Sequence, residues 1–460
     1  MTLSLSGAQH QELARHLFPG DGKEAAAILV CGDAGLTRAR LLAREVLLVP
    51  HRDCDRSTNR LTWPGEWIEY ALDKAEASAK SIILVHSHPG GFADFSLTDD
   101  QSDRAVIPHI FGGWSGAPPR HGHGSAIMLP SGRIFGRLYT ARHELTAIDQ
   151  VTVAGDDINY WFADEPGAHL GRMPFAGDQT RLLARLHACI IGVSGTGSII
   201  TEQAARLGFG ALTLIDFDVV EAKNLNRILN SATRDAERSA LKVEVTANAL
   251  RTYRPDLAIT QIATTIAERQ AVLAAAACDV IFSCVDSAEG RQIADLVAQS
   301  FMLPLFDMGV SIPTRRDRQH RPVVADVLGR VDYVQPGGST LFDRGVFSAA
   351  SLRAEYLAKV APDDFARERD AGYIRGAPDE APSVISLNMR TASAAMLEFL
   401  ARVLPFRHVP NRKFARTTFS LAEPEEEYFP EDAFAATPTV LGRGAAEPLL
   451  GIPSLGETTS

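Results

Sequence analysis

The hydrophobic pattern mixes helical and strand periods up to about residue 145, then turns, from residue 180 onward, to a regular alternation of strand and helix. In the first part, MTLSLSGAQHQELARHL reads as an amphipathic first helix, with its helical stretch near 7–17. Apolar runs at AAAILVCG (25–32), REVLLVP (44–50) and SIILV (81–85) predict strands, with a helical stretch near 64–80 between them. A Gly/Pro-rich loop region follows, then SAIMLPSGRIFGRLY (125–139), where Pro130, Ser131 and Gly132 predict a hairpin turn. These signals predict an α+β domain over 1–145. Residues 146–171, rich in Gly, Asp and Pro, read as a linker and arm.

The second part alternates helix TRLLARL, strand HACIIGV, a Gly-rich turn, a helix from Ser198 to Leu207 and strand ALTLIDF. It continues with helix SALKVEVTANALRTY, strand AITQIA, helix AERQAVLAAAA and strand VIFSCVD. Such alternation predicts an α/β domain over 172–425, with a mainly parallel sheet wrapped by helices and closed by an apolar helix over 384–404. The Pro/Glu/Gly-rich tail 426–460 is expected on the surface.

Composition narrows the classes. With 46 Lys+Arg against 56 Asp+Glu the net charge is −10, so totals imply no basic face for nucleic acid. No apolar run reaches the roughly 18 residues that span a bilayer, and the start lacks the layout of a secretory signal. A cytoplasmic location is expected. Five cysteines, Cys31, Cys54, Cys189, Cys278 and Cys284, form no C-x-x-C pair and none follows residue 284. A disulfide framework and a four-cysteine zinc site are excluded as organising features.

Chemistry concentrates in two places. In VHSHPGGFADFSLTDD (85–100), His86 and His88 stand two apart at the end of a strand, so both imidazoles project from one face. Asp99 completes two His and one carboxylate, a set that leaves a fourth position of Zn²⁺ open for water. The H-S-H-P-x₆-S-x-x-D run resembles the JAB/JAMM metalloprotease family, whose members remove ubiquitin-like proteins from conjugates or trim their C-termini. The resemblance implies a cytidine-deaminase-like fold, with zinc on His86, His88 and Asp99 and with Ser96 stabilising an oxyanion. It also implies a general-base Glu just before the first strand of the domain, a place held by Glu24, with Glu45 the alternative. His121 and His123, in PPRHGHG, lack a carboxylate at matching distance and read as a polar loop.

The second place follows strand ACIIGV: Gly192-Val-Ser-Gly195-Thr-Gly197 opens a helix, as a phosphate-binding turn does, and Asp216 ends the next strand. That much suits any dinucleotide enzyme. The continuation LIDFDVVEAKNLNRIL (214–229), with Lys242 and Asp286, suits attack on an α-phosphate with pyrophosphate leaving, because it supplies cations and a Mg²⁺ carboxylate. It resembles the ThiF family of ubiquitin-activating-enzyme-like adenylyltransferases over roughly 172–425. The resemblance implies ATP bound by Gly192, Gly195 and Gly197, its ribose on Asp216, phosphates on Asn224, Arg227 and Lys242, and Mg²⁺ on Asp286. It also implies an arginine from an N-terminal arm, for which Arg172 is the candidate, and a homodimer. Ser194 stands where the family usually has Gly. Arg291 is open between an active-site role and a structural one, and the basic run TRRDRQHR (314–321) reads as a solvated hairpin.

Family members commonly carry a C-L-x-C-R-G run after a P-G turn; here QPGGSTLFDRG (335–345) puts Thr340 and Asp343 in those places. Neither can form a thioester, and burial is expected to make Cys189, Cys278 and Cys284 inert. The two resemblances together imply a fusion that processes and adenylates the C-terminal glycine of a ubiquitin-like protein. A partner conjugating enzyme would then supply the cysteine. Fusions of this kind resemble bacterial ubiquitin-like conjugation systems, some associated with defence against phage. The rivals are activation of a sulfur-carrier protein and a nucleotide-binding scaffold with little turnover.

Overall fold

Leu3 and Leu5 alternate with Thr2, Ser4 and Ser6, and this period of two makes Thr2–Ser6 a fully buried strand rather than the start of the first helix. Ser6 then caps helix Gly7–Leu17: its hydroxyl accepts the Gln9 N–H, and the Gln9 side chain accepts the Ser6 N–H. The computed structural model describes residues 1–76, 80–115, 118–165, 175–370 and 384–456. Two compact units emerge. One comprises the described residues up to 165 with 299–302 and 440–453; the other comprises 175–298, 303–439 and 454–456.

In the first unit the described residues form a nine-stranded sheet. Its order is Ile158–Phe162, Gln150–Ala154, Thr2–Ser6, Arg40–Leu48, Ala26–Asp33, Ser81–Ser87, His123–Met128, Ile134–Tyr139 and Leu145–Ala147. One face packs Leu3, Leu5, Ile83 and Val85 against helix Gly7–Leu17; Ile82 and Leu84 face helix Glu66–Glu76. Two expectations fail here. Residues 150–162, read as part of a linker, are two strands of this sheet, with Gln150–Ala154 parallel to Thr2–Ser6. The stretch after Ser87 is more than loop, because Leu97–Gly113 is a 17-residue helix. Its few apolar positions and internal Pro108 hide it from a periodicity reading.

The tail is not a surface appendage either. Arg44 donates from Nε to the Gly442 carbonyl at 2.7 Å and from Nη2 to that of Arg443 at 2.9 Å, and Leu449 is fully buried. In the second unit, Glu425–Phe429 forms the last strand of the sheet, crossing the expected boundary between domain and tail.

That sheet runs Ala258–Ile262, Ala211–Ile215, His187–Ile191, Val280–Ser283, Leu305–Ser311, Leu328–Val334, Arg416–Ser420 and Glu425–Phe429. The first five strands are parallel and the last three antiparallel. The chain therefore has the mixed α/β architecture expected of it. Helix Ile385–Val403 sets Phe399 among Phe209, Phe282 and Phe306, with ring centroids 5.7–5.8 Å apart. Strand order reverses at His187–Ile191, whose neighbours on either side come later in the chain. A crevice outside the strand ends at such a switch point is where open α/β sheets bind ligands.

Candidate metal centre and nucleotide crevice

In the first unit, His86 lies opposite Ala26 and Ile127 in the sheet, and His88 continues the pairing through its N–H to the Met128 carbonyl. The two imidazoles are thereby held from one strand end. Asp99 arrives from helix Leu97–Gly113, whose N-cap is Ser96: the Ser96 hydroxyl accepts the Asp99 N–H at 3.2 Å, and Asp99 Oδ2 accepts the Ser96 N–H at 2.6 Å. The S-x-x-D of the motif is thus also a capping box, the signal that would have revealed the helix.

The three ligating atoms converge. His86 Nε2 is 3.1 Å from His88 Nε2 and 3.1 Å from Asp99 Oδ1, and His88 Nε2 is 3.4 Å from Asp99 Oδ2. His88 Nδ1 donates to the Phe92 carbonyl at 2.8 Å, so the neutral ring turns an Nε2 lone pair toward a carboxylate oxygen. Two acceptors face to face need a cation or an added proton between them. The donor set therefore fits a metal ion, and His86, His88 and Asp99 form the one such cluster found among the described residues. Although burial opposes ionisation, hydrogen bonds from His86 and Ser96, and from the His88 ring when it carries the added proton, hold the Asp99 carboxyl far below the usual range.

Glu24 lies close enough for His86, His88 and Asp99 to act on its charge, and half-burial raises its carboxyl above the ordinary value. Its backbone is tied down through its N–H to Ser57 and its carbonyl to Arg56 Nε. Glu45 instead pairs with Lys74 at 2.7 Å. His121 sits 3.3 Å from Asp33, while His123 accepts the Ile82 N–H between Phe111 and Trp114, where burial lowers it to about 4.

In the second unit, strands His187–Ile191 and Val280–Ser283 run side by side, so Gly192 and Cys284 emerge together. Gly192 has φ +84°, and a Cβ at Gly197 would lie 1.8 Å from the Gly192 carbonyl oxygen, so both positions require glycine. A Cβ at Gly195 would lie 2.2 Å from Asn388 Nδ2, which makes the buried Asn388 a wall of the loop that no motif had indicated. Helix Gly195–Leu207 starts without a side-chain cap from Ser194, leaving its positive end directed at the crevice.

Asp216 accepts the Val193 N–H at 2.7 Å and the Asp218 N–H at 2.8 Å, fixing the loop; burial raises its carboxyl despite Lys242 nearby. The buried Lys242 ammonium donates to Asp218 Oδ2 at 2.6 Å. Arg227 packs along Gly195, while Asn224 spends its Oδ1 on the Glu221 N–H at 3.2 Å inside its own turn. Asp286 is exposed two residues beyond Cys284. Arg291 bonds the Asp286 carbonyl and lies 3.6 Å from buried Asp307. Arg172 lies outside the described residues.

A model of the ThiF family matches residues 169–429, more than half of the chain. The chain belongs to the ThiF family. A second family model, prokaryotic homologs of the JAB domain, matches residues 7–132, so this ThiF protein carries a JAB-like domain ahead of its adenylation fold. Among curated relatives, ubiquitin-like modifier-activating enzyme 5 of Drosophila mojavensis is 30% identical over 186 residues, covering 38% of this chain and 42% of that protein. The Culex quinquefasciatus protein of the same name is 30% identical over 165 residues, 33% of this chain and 38% of the relative. The match thus spans about two fifths of the length of these relatives. Of solved structures, E. coli MccB with ATP aligns at 14% identity and a TM-score of 0.42 over 56% of this chain and 67% of that one. PaaA aligns at 16% and 0.39, with the same coverage. Likenesses of that extent add nothing to the assignment.

The five cysteines of this ThiF chain, all among the described residues, form no disulfide with one another. Burial pushes the Cys31, Cys189 and Cys284 thiols up. Cys278 departs from the expectation: burial opposes ionisation, but hydrogen bonds with Cys189 and His187 pull it down. It is nonetheless fully buried. Thr340 donates from its N–H and hydroxyl to Asp343, which also accepts from Thr437, so the places of the missing cysteines form a polar clasp.

Proposed function

We propose that this chain adenylates the C-terminal glycine of a ubiquitin-like protein and that its JAB-like unit is a zinc peptidase acting on the same terminus, trimming precursors or reversing conjugates. One observation carries the reading: a single chain holds both a converged His86–His88–Asp99 cluster and a glycine loop flanked by Asp216, Arg227 and Lys242.

In the crevice, ATP is the substrate. The loop N–H groups and the positive helix end receive phosphate, Asp216 faces the ribose, and Lys242 and Arg227 neutralise charge as pyrophosphate departs. Asn224 completes the phosphate contacts, and Asp286, an exposed carboxylate at the strand end, would hold Mg²⁺. The glycine carboxylate oxygen bonds to the α-phosphorus while the bond to the β-phosphate oxygen breaks, its electrons leaving with pyrophosphate. With Thr340 and Asp343 where cysteines would stand and Cys278 sealed, activation ends at the adenylate on this chain. The cysteine thiolate of an outside conjugating enzyme then attacks the glycine carbonyl carbon, forming a thioester as the bond to the phosphate oxygen breaks and AMP leaves.

In the peptidase unit, His86, His88 and Asp99 would hold zinc, which when bound polarises water and the scissile carbonyl. Glu24, raised by burial, takes the water proton and returns it to the leaving amine. Ser96 accepts the Asp99 N–H and keeps its own hydroxyl proton to donate to the developing oxyanion.

ATP–pyrophosphate exchange, dependent on a ubiquitin-like protein ending in glycine, tests the first half, and cleavage of a C-terminally extended form tests the second. Asp286→Ala should lose exchange and keep cleavage. No exchange with any glycine-ended ubiquitin-like protein would contradict the adenylation reading.

A further inference from the structure

The ligand Asp99 sits in the first turn of a helix that carries two more carboxylates close behind it, Asp100 and Asp103, and Asp103 is buried. A buried carboxylate beside a metal-binding one is costly unless a cation meets it. The cation is Arg137, on strand Ile134–Tyr139 opposite Ser125. Its Nη1 lies 2.6 Å from Asp100 Oδ1, while its Nε and Nη2 lie 2.8 and 2.7 Å from Asp103 Oδ2. The Ser125 and Tyr139 hydroxyls donate to the same Asp103 oxygen at 2.5 and 2.9 Å. The guanidinium also covers Phe95, its central carbon 3.7 Å from the ring centroid, and Phe95 is locked edge-on against Phe135.

Phe95 immediately precedes Ser96, the helix cap. One buried guanidinium therefore grips both the end of the loop after His88 and the first two turns of the helix that presents Asp99. It also neutralises two of the three acidic side chains there, which leaves Asp99 as the one committed to the cluster.

We infer that Arg137 is a positioning residue for the metal centre, holding Ser96 and Asp99 in register with His86 and His88 through Phe95, Asp100 and Asp103. This rests on the zinc reading above. Arg and Lys are not equivalent here, since only the planar fork reaches two carboxylates while stacking on a ring.

The test is zinc affinity of the full chain, measured by competition with a chromophoric chelator, together with the visible spectrum of the cobalt-substituted protein. Arg137→Met should weaken zinc about 10–100-fold, the usual effect of losing an outer-shell partner, and shift the cobalt bands. Arg137→Lys should fall between it and wild type. Tyr139→Phe, which keeps the guanidinium and removes one donor, should cost a few-fold and keeps the inference testable if Arg137→Met does not fold. Lys74→Met, a control that breaks an ion pair elsewhere in this unit, should leave both readouts unchanged. Wild-type affinity and an unshifted spectrum in folded Arg137→Met and Tyr139→Phe would overturn the positioning role. Failure of the wild-type chain to bind zinc would overturn the metal reading itself.

Discussion

The two sites reach their chemistry by opposite routes. In the candidate metal centre the proposed ligands are already assembled: backbone pairing fixes His86 and His88, a helix cap fixes Asp99, and the side-chain atoms stand within hydrogen-bond distance of one another. In the nucleotide crevice only the loop is assembled. Lys242 is neutralised by Asp218, Asn224 is occupied within its own turn, and Asp286 faces solvent. A small, hard-to-misplace ligand rewards a prebuilt cage, whereas a large substrate that brings its own charges can exchange partners as it binds. On the proposed function, the JAB-like unit should respond to substitution through metal occupancy, and the ThiF unit through turnover.

Four substitutions would break or sharpen that contrast. The largest effect is expected for His88→Ala, which should abolish zinc binding and precursor cleavage, read by metal analysis and gel shift, while exchange persists. Glu24→Gln should retain zinc yet lower cleavage about 10²–10⁴-fold, the range of general-base loss; zinc loss with it would make Glu24 a ligand instead. Lys242→Ala should lower exchange about 10²–10³-fold, as loss of one electrostatic contact to the transition state does, with zinc content unchanged. The smallest effect is expected for Glu45→Gln, which breaks a partly exposed pair with Lys74 and should cost under about 1 kcal/mol in thermal unfolding and nothing in cleavage.

Much of both sites was legible in the sequence because each motif is compact and its spacing reflects local geometry. His86 and His88 share a face by strand periodicity, and Gly192 and Gly197 mark backbone that admits no side chain. What escaped was set by distant or polar structure. Thr2–Ser6 becomes a strand because Gln150–Ala154 and Arg40–Leu48 flank it, a pairing 148 residues away in sequence at Gln150. Helix Leu97–Gly113 buries Asp103 where a reader looks for a hydrophobic residue, and its guanidinium partner lies 34 residues further on. Asn388 reaches the glycine loop from helix Ile385–Val403, far away in sequence, and Cys278 is pulled down by neighbours on other elements. Tertiary contact decides these placements, although the alternation within Thr2–Ser6 and the Ser96 capping box are local signals that agree with them.

The claim that activation ends at the adenylate has one direct test. The chain is incubated with ATP, Mg²⁺ and a ubiquitin-like protein ending in glycine, quenched in acid, and every product is weighed intact. The account predicts a ubiquitin-like protein carrying AMP beside an unmodified enzyme. A covalent adduct between the two that a thiol reductant releases, on Cys278 or any other cysteine, would contradict it.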